Sequence, residues 1–249
     1  DELRAYDTFG ALTNHFETTT NRLLSQLLTE NTIESTYKSS IATIWNDRVA
    51  KHKEYTAKIP FSDFKVFDFI CQSLPKNSQL QVSNSSAIRY LQLFDLDKSI
   101  QVFCNRGTSG IDGSTSTAIG AASATDLPTI LITGDISFLY DSNALWNNYI
   151  PKNFKIILLN NSGGGIFRIL PGHQETETFN TYFETSHHLN ASHLAKMYGL
   201  DYFEANDETS LQQQYSAFLN QNEKPSILEV FTPEKENNWI LLEFFRQLK

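Results

Sequence analysis

The chain has 249 residues, a formal net charge of −8, 40% hydrophobic residues and 19% charged ones, a balance that supports a globular protein with a sizeable core. The acidic excess argues against a nucleic-acid partner, which needs a basic face to neutralise phosphates, and no apolar run reaches the ~18 residues that read as a membrane span. Two cysteines, Cys71 and Cys104, cannot by themselves frame a disulfide network or a zinc site; with polar, Thr/Asn-rich residues 1–30 showing no signal-peptide pattern, a reducing cytoplasm is the expected compartment.

Residues 1–59 show no pattern that closes a core. Residues 3–16, "LRAYDTFGALTNHF", suggest a strand and a turn, "TNRLLSQLL" a helix, and "IWNDRVAKHKEYTAK" a charged helix or linker. The chain begins with Asp1 and its single methionine is Met197, as expected of a fragment or processed product. Residues 1–59 are therefore read as the end of a preceding domain plus a connector, and residues 60–249 as the main domain.

From about residue 60 the pattern is regular. Short apolar strands are predicted at 79–83, 99–104, 129–133, 154–159, 201–205 and 226–231. Helical patterns fall between and after them, at 85–94, 114–124, 138–149, 191–199, 207–220 and 236–247. Cys104 ends the second strand and is expected to be a buried small residue. Apolar strands alternating with helices predict an α/β fold: a doubly wound, mainly parallel sheet with helices on both faces. The tail "NNWILLEFFRQLK" is read as an amphipathic packing helix rather than a membrane anchor.

In such a sheet ligands bind beyond the carboxyl ends of the strands. The first four strands are followed by "NSSAIR", "NRGTSGIDG", "GDIS" and "NNSGGGIF", four polar or Gly-rich loops that would open on one rim. Asp135 and Asn161 offer a carboxylate and an amide oxygen, and the Gly163 carbonyl a third. Mg²⁺ takes hard oxygens and completes its shell with phosphate and water, so these three oxygens imply a phosphorylated cofactor. Ser137 and the amides of Gly134, Asp135 and Ile136 sit at a helix start, where N–H groups favour an anion. The alternative for any one loop is plain turn and cap chemistry, with Asp as a helix N-cap; four such loops on one rim weigh against it. His187, His188 and His193 complete no familiar metal-ligand spacing, and "SGGGIF" lacks the GK[ST] ending of a nucleotide-binding loop. Tyr140, Asp141 and Asn143 either shape the pocket or cap the helix.

Together these residues carry a family resemblance. "GDIS" followed about two dozen positions later by "NNSGGGIF" resembles the cofactor motif of thiamine-diphosphate-dependent enzymes, with Ile136 in place of the motif's second glycine. "SNSSAIR", "NRGTSGIDG", "GDISFLYDSNAL" and "NNSGGGIFRILP" are, as a set, similar to one branch of that family: the 2-succinyl-5-enolpyruvyl-6-hydroxy-3-cyclohexene-1-carboxylate synthases of menaquinone biosynthesis. The match is strong over about residues 60–172 and weaker on either side.

The resemblance implies a thiamine-dependent carboligase that decarboxylates 2-oxoglutarate and adds the remaining carbanion equivalent to isochorismate. It implies Mg²⁺ or Mn²⁺ held by Asp135, Asn161 and the Gly163 carbonyl. Ser109, Gly110, Gly134, Ser137 and Gly164 would contact the cofactor, and Ile111 would prop it in a bent form. Ile166 and Phe167 would line the active site. Both implied substrates are dianions; Ser85 and Arg89, four apart at a helix start, share a face, and Arg106 follows in the adjacent loop, each Arg able to grip a carboxylate with two N–H groups. The family's glutamate partner to the cofactor's pyrimidine ring comes from an N-terminal pyrimidine-binding domain of another subunit, so a homodimer or homotetramer is implied and the isolated chain is expected to be inactive. The competing readings are another thiamine-dependent carboligase or decarboxylase of acetolactate-synthase type, a non-catalytic cofactor-binding fragment, and a phospho-accepting receiver module. The last lacks the Lys such modules need at a later strand end.

Overall fold

The computed structural model describes residues 5–30 and 35–248. It divides into two compact units, residues 1–49 and 50–249. The first holds α1 (Thr20–Glu30) and the start of α2 (Tyr37–Lys58), and none of its described residues is buried. The suggested strand over 3–16 does not form within the described residues 5–16. There the Asp7 side chain and carbonyl instead take up the amides of Ala11 and Gly10 and close a turn. Leu3 and Arg4 of that stretch lie outside the described residues.

The second unit is built on six strands, β1 (Gln79–Val82), β2 (Gln101–Cys104), β3 (Thr129–Gly134), β4 (Lys155–Asn160), β5 (Asp201–Ala205) and β6 (Ser226–Phe231). They form one sheet in the order β2-β1-β3-β4-β6-β5. Every pairing is parallel, so all six carboxyl ends lie on the same rim. The strands are short apolar runs because both faces are covered. Along β3, Ile130 and Ile132 join one core and Leu131 the other; along β4, Ile157 and Leu159 alternate with Ile156 and Leu158 in the same way. This is the doubly wound sheet that the alternating pattern predicts.

The first core packs α3 (Asp63–Ser73), α4 (Ser86–Leu91), α8 (Glu208–Asn220) and α9 (Asn237–Gln247) against the sheet, together with Tyr55 at the end of α2. The second packs α5 (Ser114–Ser123), α6 (Asp135–Tyr140) and α7 (Ser192–Tyr198). Ile157 is fully buried in the first core; Ile157→Val is expected to lose about 0.5–1.5 kcal/mol, read as a lower urea midpoint with an unchanged slope.

Several features depart from the sequence pattern. α3 lies in a stretch assigned to no element, although Phe64, Val66, Phe67, Ile70 and Cys71 make a helical apolar stripe behind Ser62, whose hydroxyl accepts from the Lys65 amide. The helix expected at 138–149 is split. α6 starts at Asp135 and stops at Tyr140, because the Asp141 carboxylate turns away to accept from the amide and hydroxyl of Ser116 on α5; a 3₁₀ turn, Ser142–Trp146, follows. Cys104 is half-buried rather than buried, since β2 is an edge strand. Cys71 is buried, and both thiols are free.

Lys155 starts β4, at the opposite end of that strand from its Asn160. Its ammonium donates to the Gln221 carbonyl and to Ser226 Oγ, and burial pushes it down to about 8. A depressed lysine penalises the folded state while the unfolded chain is also protonated, below about pH 8; the penalty fades as pH rises towards the ordinary lysine value of about 10.4. The wild type is therefore expected to gain stability relative to Lys155→Met between pH 7.5 and 10 in urea titrations; a gap that stays constant would contradict this.

Candidate functional site

The chain runs from β1 out to β2 and then back across β1 to β3, so the connections after β1 and β3 diverge and leave a crevice between them, the place where such sheets bind ligands. A cavity of about 390 Å³ lies there. Each of the first four strands sends its following loop into it: Ser85 after β1, Ser109–Ile111 after β2, Gly134–Ser137 after β3 and Asn161–Phe167 after β4. Of the residues singled out in the sequence, Ser85, Ser109, Gly110, Ile111, Gly134, Asp135, Ser137, Asn161, Gly163, Gly164, Ile166 and Phe167 all border this one cavity.

The two arginines do not border it. Arg89 is exposed on α4, donates to the Ser85 carbonyl (2.8 Å) and lines a small adjoining cleft shared with Asn161 and Ile166. Arg106 donates to Asn84 Oδ1 (2.5 Å), and Asn84 in turn donates to the Gly110 carbonyl (3.2 Å). Arg106 thus steadies the Ser109–Ile111 loop from behind.

Asp135 is 4% exposed. It is not the helix N-cap, a position held by Gly134. Its Oδ1 accepts from the Ile136 amide (2.7 Å) and its Oδ2 from the Gly163 amide (3.0 Å), which ties the β3 loop to the β4 loop. His187 Nε2 lies 3.3 Å from Asp135 Oδ2. Its Nδ1 accepts from the Leu189 amide, which leaves the ring proton on the nitrogen facing the carboxylate, and Asp135 raises the imidazole above its ordinary value. No cluster of three His, Cys, Asp or Glu side chains suited to a metal occurs among the described residues. A three-oxygen set made from a carboxylate, an amide and a carbonyl is of another kind. Asn161 Nδ2 donates to Asp63 Oδ2 (2.9 Å), which leaves its oxygen for a cation. The Gly163 carbonyl accepts once, from the Gly165 amide, and keeps a second lone pair. A nearly buried carboxylate beside neutral oxygen acceptors, on a cavity walled by glycines, fits a hard divalent cation shared with a phosphorylated ligand.

The loops are held in costly backbone shapes. Ser85, Ser109 and Ser162 all have positive φ, at 69°, 64° and 65°; such strain is typical of sites whose surroundings over-determine the backbone. Gly163 has φ +152°, and a Cβ there would meet the Glu184 carbonyl at 2.8 Å. Gly163→Ala is expected to cost about 1–3 kcal/mol and to weaken cofactor binding, both measurable by thermal melting with and without ligand. Ser137 Oγ donates to the Ile111 carbonyl (2.5 Å), so as placed it pins the β2 loop.

Several participants were not visible in the sequence. Asp63, at the start of α3, is 3% exposed and borders the cavity; burial pushes its carboxyl up to about 6, against the hydrogen bonds of Thr232 and Asn161. Tyr182, Phe183 and Glu184 come from a π-helical segment, Phe179–Glu184. Glu184 forms a two-pronged buried pair with Arg168, and its carbonyl accepts from the Gly164 amide (2.6 Å). Tyr140 borders the cavity, whereas Asp141 serves α5, which settles those two of the residues left open.

Comparison with known proteins agrees with this geometry. The family described as thiamine pyrophosphate enzyme, C-terminal TPP binding domain, matches residues 84–230, more than half the chain. A 2-succinyl-5-enolpyruvyl-6-hydroxy-3-cyclohexene-1-carboxylate synthase of Flavobacterium johnsoniae is 64% identical over 249 residues, which is 100% of this chain and 45% of that protein. The protein of the same name from Flavobacterium psychrophilum is 63% identical over the same shares. That of Christiangramia forsetii is 55% identical over 202 residues, 81% of this chain and 35% of its own length. The chain thus spans less than half the length of these relatives. Among solved structures, benzoylformate decarboxylase from Polynucleobacter necessarius superposes with a TM-score of 0.58 at 18% identity, over 72% of this chain and 34% of that one, a likeness of fold alone. On the match over residues 84–230 and the loops gathered at the crevice, this chain belongs to the thiamine pyrophosphate enzymes and carries their C-terminal cofactor-binding domain.

Proposed function

We propose that this chain is the diphosphate-binding and metal-binding part of a 2-succinyl-5-enolpyruvyl-6-hydroxy-3-cyclohexene-1-carboxylate synthase, which decarboxylates 2-oxoglutarate and joins the remaining four-carbon unit to isochorismate. The observation that carries the reading is the convergence of four strand-end loops on one cavity, with Asp135, Asn161 and Gly163 bordering it. The 64% identity to a synthase of that name narrows the reading from family to reaction.

In this reading the cofactor, when bound, supplies a carbanion-stabilising thiazolium. The chain's own residues bind and orient. Asp135, Asn161 Oδ1 and the Gly163 carbonyl would hold Mg²⁺ or Mn²⁺, which would supply positive charge to offset that of the diphosphate. Ser109, Gly110, Gly134, Ser137 and Gly164 meet the cofactor, and Ile111, Ile166 and Phe167 give it an apolar wall that excludes water. Ser85 on the cavity wall and Arg89 in the adjoining cleft would meet the carboxylates of the substrates, whereas Arg106, held on Asn84, would act by bracing the Ser109–Ile111 loop. Residues 1–59 are the end of a central domain with its linker. The complete enzyme works as a homodimer or homotetramer in the cytoplasm, with a pyrimidine-binding N-terminal domain completing the site.

CO₂ release from 2-oxoglutarate and from pyruvate, measured on the complete protein with isochorismate as acceptor, tests the reading. Turnover of 2-oxoglutarate that collapses in Arg89→Ala is expected; turnover of pyruvate alone, indifferent to Arg89, would point to an acetolactate-type enzyme instead.

A further inference from the structure

We propose that Asp63 sets the orientation of the Asn161 amide, so that Oδ1 and not Nδ2 faces the divalent cation; Asp63 is then a positioning residue of the metal site. The inference rests on the reading of Asn161 as a ligand. An asparagine side chain presents an oxygen and an NH₂ group of nearly the same shape, and only the oxygen can ligate a hard cation. Nothing steric chooses between the two ends, so a second group has to. Asp63 Oδ2 accepts from Asn161 Nδ2 at 2.9 Å, and an ionised carboxylate has no hydrogen to offer the amide oxygen.

Asp63 is itself held on several sides. Its Oδ1 accepts from Thr232 Oγ1 (2.6 Å) just after β6, and its amide donates to Asn237 Oδ1 (2.8 Å) at the start of α9. Asn237 is fixed in turn by donating to the Pro233 carbonyl (2.8 Å). The Thr232 amide donates to the Asn160 carbonyl (3.0 Å), next to the residue being oriented. This small network joins α3, β4, β6 and α9 at the cavity wall, where Asp63 and Asn161 both border it. Asp63 Oδ2 is turned to the Asn161 NH₂ group, so its part is to orient that ligand, as outer-shell carboxylates do elsewhere.

Mn²⁺ affinity, titrated by electron paramagnetic resonance into the full chain at saturating thiamine diphosphate, tests this without any activity assay. Asp63→Asn is expected to weaken Mn²⁺ by about 10–100-fold, since its amide no longer dictates which end of Asn161 turns outward. In an Asn161→Asp background both side-chain oxygens are equivalent. Adding Asp63→Asn there is expected to change affinity by less than about threefold, or to raise it by removing a like charge. An equal loss in both backgrounds marks a general structural role and overturns the proposal, as does unchanged affinity in Asp63→Asn alone. Wild-type Mn²⁺ affinity in Asn161→Ala would sink the ligand reading itself, a failure distinguishable from the first. Should Asp63→Asn not fold, Asp63→Glu, which displaces the carboxylate by one methylene, takes its place with the same expected loss and the same cancellation.

Discussion

Asp135→Ala is expected to abolish Mg²⁺-dependent binding of thiamine diphosphate. The carboxylate is 4% exposed, its oxygens are aimed by the Ile136 and Gly163 amides, and it is the one anionic member of the proposed ligand set. Deleting it removes a direct ligand together with the tie between the β3 and β4 loops, so the loss should exceed the roughly 10–100-fold typical of outer-shell changes. Titration calorimetry with and without Mg²⁺ reads it directly. Wild type should bind tightly only with the ion present, and the variant weakly in both conditions. An equal response of the two proteins to Mg²⁺ would contradict the assignment.

The second large effect falls on stability. Arg168 and Glu184 are 5% and 1% exposed and share two parallel hydrogen bonds, and the partner carboxylate raises the guanidinium further above its ordinary value. Arg168→Ala leaves Glu184 buried without its partner, which costs about 3–5 kcal/mol. Because the Glu184 carbonyl holds the Gly164 amide, cofactor affinity should fall as well. Replacing both partners by apolar residues of similar size, Arg168→Met with Glu184→Leu, should recover much of the stability. Urea unfolding of the single and double variants separates the cost of an orphaned charge from the worth of the pair; a double variant as unstable as the single one would show that the pair itself supplies the stability.

The legible and illegible parts of the molecule divide along physical lines. β3 and β4 are continuous apolar runs that stop in Gly-Asp and Asn-Asn. Hydrophobic length and turn chemistry alone therefore place them in a buried parallel sheet with their loops on one rim, and the structure gathers those loops on one cavity. Asp135 and Asn161 were found because strand ends are marked by such local signals. Asp63 was not, because its neighbourhood comes from residues 98 and 169 positions away, Asn161 and Thr232, and a Ser-Asp pair at a helix start looks the same whether it is solvated or buried. The π-helical segment was invisible for another reason: its i→i+5 spacing matches neither the helical nor the strand period, and the partner that allows Glu184 to be buried, Arg168, lies outside the segment. The split of the 138–149 helix turned on one carboxylate, Asp141, reaching across to Ser116, which no local pattern records.

Diffraction from crystals grown with Mn²⁺ and thiamine diphosphate, with data collected at the manganese absorption edge, locates the cation directly. One strong anomalous peak is expected in the crevice between the loops after β1 and β3, within metal–oxygen bonding distance of Asp135, Asn161 Oδ1 and the Gly163 carbonyl, with the diphosphate on its far side. A peak coordinated by other side chains, or a cofactor bound in that crevice with no metal density beside Asp135, would contradict it.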